Sequence, residues 1–204
     1  MSATARHTLP KDFLPAGEPL THAFFARSSD EVAADLVGKI LWRKGFGGGR
    51  LAEVEAYLPQ GDPASHAAAG QTKRNTAMFG PPGRLYVFLS YGVHRLLNFV
   101  CDEEDIGSAV LVRSFEPLPG IPHHGMGEGG RGPGVVGRLL GVELKMSGLA
   151  LGEESGLFVV DDGMRPEVGQ TVRVGITRGA QMPLRYYMKG SRYVSGPPGM
   201  IGEN

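Results

Sequence analysis

Apolar and polar positions alternate in short runs along this chain, and glycine and proline separate the runs, so strands joined by turns are the expected building blocks. Residues 40–43 read as a strand, residues 45–49 (glycine except at Phe46) as a turn, and residues 50–57 as the antiparallel partner. Residues 84–90 form a strongly β-favoured run, Tyr91-Gly92 a turn, and residues 93–100 a second strand. A further apolar strand is expected at 109–115, and late strands at 157–160, 171–177 and 184–188. Two helices interrupt this pattern. Ser28 and Glu31 have capping-box spacing at the head of one, Val32, Ala34, Leu36 and Val37 supply its apolar side, and Gly38 stops it. Pro133 starts the other, which runs through Leu140 and stops at Gly141. Residues 60–80 read as irregular, with a short helix near 74–79. Residues 120–134 read as a mobile glycine-rich loop, and residues 1–20 as an extended N-terminal stretch. The absence of a βαβ rhythm predicts an α+β or mostly-β single domain.

Composition agrees with that architecture. The 204 residues suffice for one ordinary core, and 32 glycines with 15 prolines favour a loop-rich, β-rich chain over a helix bundle. One cysteine, Cys101, rules out an internal disulfide and fits a reducing compartment. Residues 1–10 lack the apolar region of a signal peptide, and no run approaches the roughly 18 apolar residues of a membrane span. An intracellular protein without membrane contact is expected. Lysine plus arginine (21) balance aspartate plus glutamate (21), but the charges segregate. Residues 63–101 and 168–202 contain no acid. The first holds Lys73, Arg74, Arg84 and Arg95, and the second Arg173, Arg178, Arg185, Lys189 and Arg192. Folded together, these segments would make a polyanion-binding face; chance clustering in loops is the alternative.

The candidate chemistry lies in three strands. Period two over residues 50–57 puts Leu51, Glu53, Glu55 and Tyr57 on one face and Ala52, Val54 and Ala56 on the other. Two carboxylates beside a tyrosine suggest a site, although a solvated strand face is the usual fate of glutamate. Tyr86, Phe88 and Ser90 share a face, and Tyr91 stands at a hairpin tip, either folded back onto the sheet or available as a wedge for a nucleic-acid base stack. Arg113 interrupts an apolar run and needs a carboxylate such as Glu55, or an exit to water. His66 and Asn98, each taken alone, read as structural. The histidines show no metal-ligand spacing with Cys101, and the chain carries no phosphate-binding or dinucleotide-binding motif, so neither metal nor cofactor is expected.

Taken together, these motifs resemble one family. Glu53-Val54-Glu55-Ala56-Tyr57, His66, Gln71-Thr72-Lys73-Arg74-Asn75, Met78-Phe79, Pro82-Gly83-Arg84-Leu85-Tyr86-Val87-Phe88, Tyr91-Gly92, Asn98, Val110-Leu111-Val112-Arg113, Gly132-Pro133-Gly134, Arg173-Val174-Gly175 and Pro183-Leu184-Arg185-Tyr186-Tyr187 are similar, in order and spacing, to the alkyladenine (3-methyladenine) DNA glycosylases. The resemblance covers roughly residues 20 to 196. It implies an α+β domain over residues 21–204 around a curved antiparallel sheet, with a hairpin that intercalates into DNA. The implied partner is double-stranded DNA with damaged purines, bound by a monomer in the cytoplasm, at the nucleoid if the source is prokaryotic.

The resemblance also implies roles. Glu55 matches the general base, Arg113 an arginine near the hydrolytic water, and Val174 a backbone carbonyl that holds that water. Tyr57, His66 and Phe88 match the walls of the base pocket, Asn98 the residue that excludes the guanine 2-amino group, and Tyr91 the plug for the vacated stack. Thr72, Met78 and His94 align with DNA-contacting positions. The chain departs from the family at Phe88, where tyrosine is frequent, and between His66 and Gln71, where it is one residue shorter. Two other functions are consistent with the residues: a sugar hydrolase with Glu53 and Glu55 as its carboxylate pair, and a non-catalytic nucleic-acid-binding module.

Overall fold

A computed structural model describes residues 12–118 and 130–195. Residues 1–11, 119–129 and 196–204, which include most of the expected 120–134 loop, lie outside the described residues. The strands are β1 (Glu18–Pro19), β2 (Ile40–Arg43), β3 (Gly47–Tyr57), β4 (Leu85–Ser90), β5 (His94–Cys101), β6 (Ser108–Pro117), β7 (Gly130–Arg131), β8 (Leu157–Asp161), β9 (Val168–Thr171) and β10 (Arg185–Met188). The helices are α1 (His22–Phe25), α2 (Ser29–Leu36) and α3 (Pro133–Leu139), with short 3₁₀ turns at His66–Ala69, Thr76–Phe79 and Leu144–Met146. All pairings are antiparallel, in the order β1-β8-β2-β3-β6-β5-β4, with β10 joining β3 to β9 and β7 on β6. The sheet curls into a half-barrel, which is the α+β single domain expected.

Strand alternation sorts side chains to two faces, and both are covered. One face packs α1, α2 and α3 through Phe25, Val32, Leu36, Leu41, Val54, Ala56, Leu85, Leu97, Phe99, Val112 and Val136. The other carries two smaller clusters, one at Ile40, Trp42 and Phe158 and one at Tyr86, Val100, Ala109, Met78 and Ala67. A strand face with glutamates is therefore buried, because a second layer lies over it.

Four local expectations need correction. Residues 47–49 are strand rather than turn, and they are glycine for a steric reason: a Cβ on Gly48 would stand 1.9 Å from the Leu41 carbonyl oxygen. The ladder between β3 and β6 skips Ala52 and then Arg113, an irregularity that puts Leu51 into the helix-covered core instead of beside Glu53. Strand β9 ends at Thr171, because Arg173 turns inward to an ion pair and Gly175 takes a left-handed φ of 77°. Helix α2 forms where expected, but the Ser28 side chain makes no cap hydrogen bond.

Candidate active site

Glu53, Glu55 and Tyr57 leave β3 on the face away from the helices, as period two requires, and both carboxylates are fully buried. The solvated reading of this face does not hold. Glu55 Oε1 accepts the Val174 backbone N–H at 2.8 Å and lies 3.1 Å from Arg113 Nη1; Glu55 Oε2 accepts the Tyr57 hydroxyl at 3.0 Å. Burial nevertheless outweighs these contacts, and the carboxyl is pushed above its ordinary range; Arg113, the Val174 amide and the Tyr57 hydroxyl pull it down and Glu53 adds to the rise. The hydroxyl of Tyr57 is itself raised far above its usual value, first by burial and then by the Glu55 charge, so it remains a donor. One lone pair on Oε2 is left for a water molecule.

Glu53 is committed elsewhere. Its Oε1 accepts Arg113 Nε at 2.8 Å, Arg185 Nε at 2.6 Å and Ser195 Oγ at 2.9 Å, and its Oε2 accepts the Ser195 backbone N–H at 2.6 Å. Arg113 completes the network with Nη2 on Ser195 Oγ at 3.0 Å, so it does not snorkel to solvent. Glu53 is thus a structural anion for two guanidiniums and makes no pair with Glu55 across a substrate, which removes the geometry a sugar hydrolase would need.

Beside Tyr57 opens a cavity lined by Tyr57, Ala64, His66, Met78, Tyr86, Phe88, Asn98, Ala109 and Leu111. The 3₁₀ turn at His66 brings its ring edge-on to Phe88, centroids 4.5 Å apart, and sets its Nδ1 2.7 Å from the Tyr86 hydroxyl. Burial lowers the His66 pKa and favours the neutral ring; it raises the Tyr86 hydroxyl to about 12. Asn75, from the next 3₁₀ segment, locks the His66 loop by donating to the carbonyls of His66 (2.8 Å) and Gly70 (3.0 Å). Asn98 donates its amide to the Tyr86 carbonyl at 3.0 Å, so its side chain is fixed in the cavity wall.

The β4–β5 hairpin carries Tyr91 at its tip, 91% exposed and at a left-handed φ of 49°, with Val93 and Leu89 also uncovered. The folded-back alternative is excluded. One open groove beside the hairpin is lined by Thr72, Arg74, Leu89 and Ser90, and another by Val93, His94, Arg95 and Arg138. Met78 lies inside the cavity wall, buried, and not on these flanks. Several cations of the two acid-free segments have partners within the fold. Arg173 and Arg185 are buried in ion pairs, Lys189 pairs with Glu167, and Arg84 donates to the Gly148 carbonyl.

The Asp62–Arg173 pair was not singled out in the sequence. Arg173 forks onto both Asp62 oxygens at 2.6 Å, donates to the Ala56 carbonyl at 2.9 Å and lies 4.6 Å from the Tyr57 ring centroid. An acid at a turn before Pro63 carries no local signal of such a pair, and its partner lies 111 positions away. Among the described residues no group of three or more His, Cys, Asp and Glu side chains could hold a metal.

A family model described as methylpurine-DNA glycosylase matches residues 23–192. A protein of Rhizobium meliloti is 45% identical over 179 residues, 84% of this chain and 94% of its own. One of Nitrobacter winogradskyi is 42% identical over 188 residues, 89% of each chain, and one of Methanoculleus marisnigri 43% over 190 residues, 86% of this chain and 98% of its own. Each of the three is provisionally named a 3-methyladenine DNA glycosylase.

Proposed function

Because the chain belongs to the methylpurine-DNA glycosylase family, we propose that Glu55 is the general base for excision of a damaged purine held, outside the duplex, in the aromatic cavity. The protein is a DNA glycosylase of base excision repair, a hydrolase of N-glycosyl bonds. The observation that carries the assignment of Glu55 is its position: a buried carboxylate held by Tyr57, Val174 and Arg113, joined through the Tyr57 hydroxyl to a wall of the cavity.

A base inside a duplex is out of reach, and its extrusion costs a few kcal/mol, least for a damaged pair. Tyr91 enters the vacated stack. Tyr57, His66 and Phe88 enclose the purine, and Asn98 crowds the position of a guanine 2-amino group. The glycosidic bond breaks with its electron pair leaving on the base, and the sugar passes through an oxocarbenium-like state that the Glu55 charge stabilises. Water bonds to the sugar carbon and its proton goes to Glu55. Arg113 and Val174 hold the carboxylate in place for that transfer. Among the described residues no lysine lines the cavity, and the product is an abasic site and a free base without strand cleavage. Thr72 and His94 flank the hairpin where the backbone would run, whereas Met78 meets the base. One copy acts per lesion, in the cytoplasm where the DNA lies.

Oligonucleotides bearing 3-methyladenine, 7-methylguanine, hypoxanthine or ethenoadenine test this reading across pH. Glu55→Gln is expected to keep DNA binding and lose about 10²–10⁴-fold in base release. Normal release by that variant would refute the assignment.

A further inference from the structure

The base cavity sits against a fully compensated set of buried charges. Asp62, Glu53 and Glu55 face Arg173, Arg113 and Arg185, three anions to three cations. Only one of these cations lies against an aromatic wall of the cavity: the Arg173 guanidinium, 4.6 Å from the Tyr57 ring centroid. Tyr57 lines the cavity and Arg173 does not, so the guanidinium covers the ring face turned away from it. Asp62 holds that guanidinium in a two-point fork, both oxygens at 2.6 Å, with both side chains wholly buried.

A bare cation behind an aromatic wall has a definite consequence. Any base stacked on the cavity side of Tyr57 lies about 8 Å from the guanidinium. A neutral purine is indifferent to that charge to first order. A purine alkylated on a ring nitrogen carries a positive charge, and at this distance, shielded from water and salt, like charges repel enough to change affinity by one order of magnitude or more. The ring quadrupole attracts cations on both faces but does not screen one from the other. The Asp62 fork cancels the repulsion at its source.

We propose that Asp62 is a specificity-determining residue: by neutralising Arg173 behind Tyr57, it allows the cavity to accept positively charged, alkylated purines as well as neutral ones. This inference rests on the assignment of the cavity to a flipped base. It assigns Asp62 no contact with the substrate.

Duplexes whose lesion nucleotide carries a 2′-fluorine, which resists hydrolysis, isolate binding from chemistry. The quantity measured is the ratio of Kd for a cationic N7-methylguanine duplex to Kd for a neutral hypoxanthine duplex, on one preparation, so that loss of folded protein cancels. Asp62→Asn is expected to raise that ratio roughly tenfold. Removing both charges, Asp62→Asn with Arg173→Gln, is expected to return it to within about twofold of the parent. An unchanged ratio in Asp62→Asn overturns the proposal, because packing damage alone weakens both lesions together. A ratio that stays raised in the double variant overturns it too, since geometry and not charge would then be the cause. A parent protein that binds neither lesion better than undamaged duplex overturns the reading of the cavity itself, and this proposal with it.

Discussion

Glu55 is held between opposed influences. Burial of the carboxyl favours the protonated form, while one guanidinium, one amide and one phenol favour the charged form. Burial prevails, so the acid limb of the pH–rate profile is expected above the ordinary glutamate value of about 4.3. The Tyr57 hydroxyl bonds to the charged form, and its loss removes stabilisation of that form. Tyr57→Phe should therefore move the acid limb to higher pH, as measured by single-turnover base release; a limb that stays in place would show that this hydrogen bond is absent in the working complex. Period two placed Glu53, Glu55 and Tyr57 on one face directly from the sequence. It could not show that this face is buried, because a strand covered on one side and a strand covered on both have the same alternation when polar residues are present. Leu51 was misplaced for a related reason: a bulge resets the parity, and nothing local in Leu51-Ala52-Glu53 announces one.

The hairpin of β4 and β5 carries an uncovered aromatic at its tip. Its footing is rigid. Helix α3 packs so closely on β5 that a Cβ at Gly137 would fall 2.0 Å from the Arg95 carbonyl oxygen. The tip holds Tyr91 in a left-handed conformation that a bulky residue adopts only at a cost of about 1–2 kcal/mol. Such strain, at a side chain that packs on nothing in the fold, fits a ring presented to a partner. Tyr91→Ser is expected to weaken capture of lesion-containing duplex by about tenfold, the scale of one lost base–aromatic stack. The melting temperature should not fall, since the ring is 91% exposed. A drop in stability with unaltered lesion binding would assign the residue to the fold instead. The two strands and the turn between them were legible because β-favoured runs flank Tyr91-Gly92. The expected strand at 171–177 was not realised, since the pull of Asp62 on Arg173 overrides the local preference of alternating Val172, Val174 and Ile176.

Over the whole molecule, ion pairs set the pH range of stability. Burial pushes the Asp62 carboxyl up, but the hydrogen bonds and charge of Arg173, with the Ala64 and Leu58 amides, outweigh it and hold the carboxyl below its usual value. Asp161 is depressed by Arg165 and Lys39, and Asp162 by Arg50. A depressed folded-state pKa contributes stability above the unfolded value of about 3.9 and loses it as pH falls through the folded value. Glu55 acts in the opposite sense: raised, it favours the fold only when protonated. Acid unfolding is accordingly expected below about pH 4, and Asp62→Asn should move its midpoint upward. Trp42, the one tryptophan and 2% exposed, reports the transition by fluorescence. A midpoint that Asp62→Asn leaves in place would show that the pair contributes nothing to acid stability.

Alternation and turn residues were enough, from the sequence alone, to indicate an α+β or mostly-β single domain, a hairpin with an aromatic tip, and a face bearing Glu55 and Tyr57. These features are local: each follows from the spacing of a few neighbouring residues. Only the tertiary structure showed how differently the two carboxylates are engaged. Glu53 and Glu55 are two positions apart on the same face, yet Glu53 is neutralised by Arg113 and Arg185, 60 and 132 positions away, while Glu55 keeps a lone pair for water. Pairing at that separation depends on which strands lie side by side and on the layer that buries both acids. Neither is written in the period of a single strand.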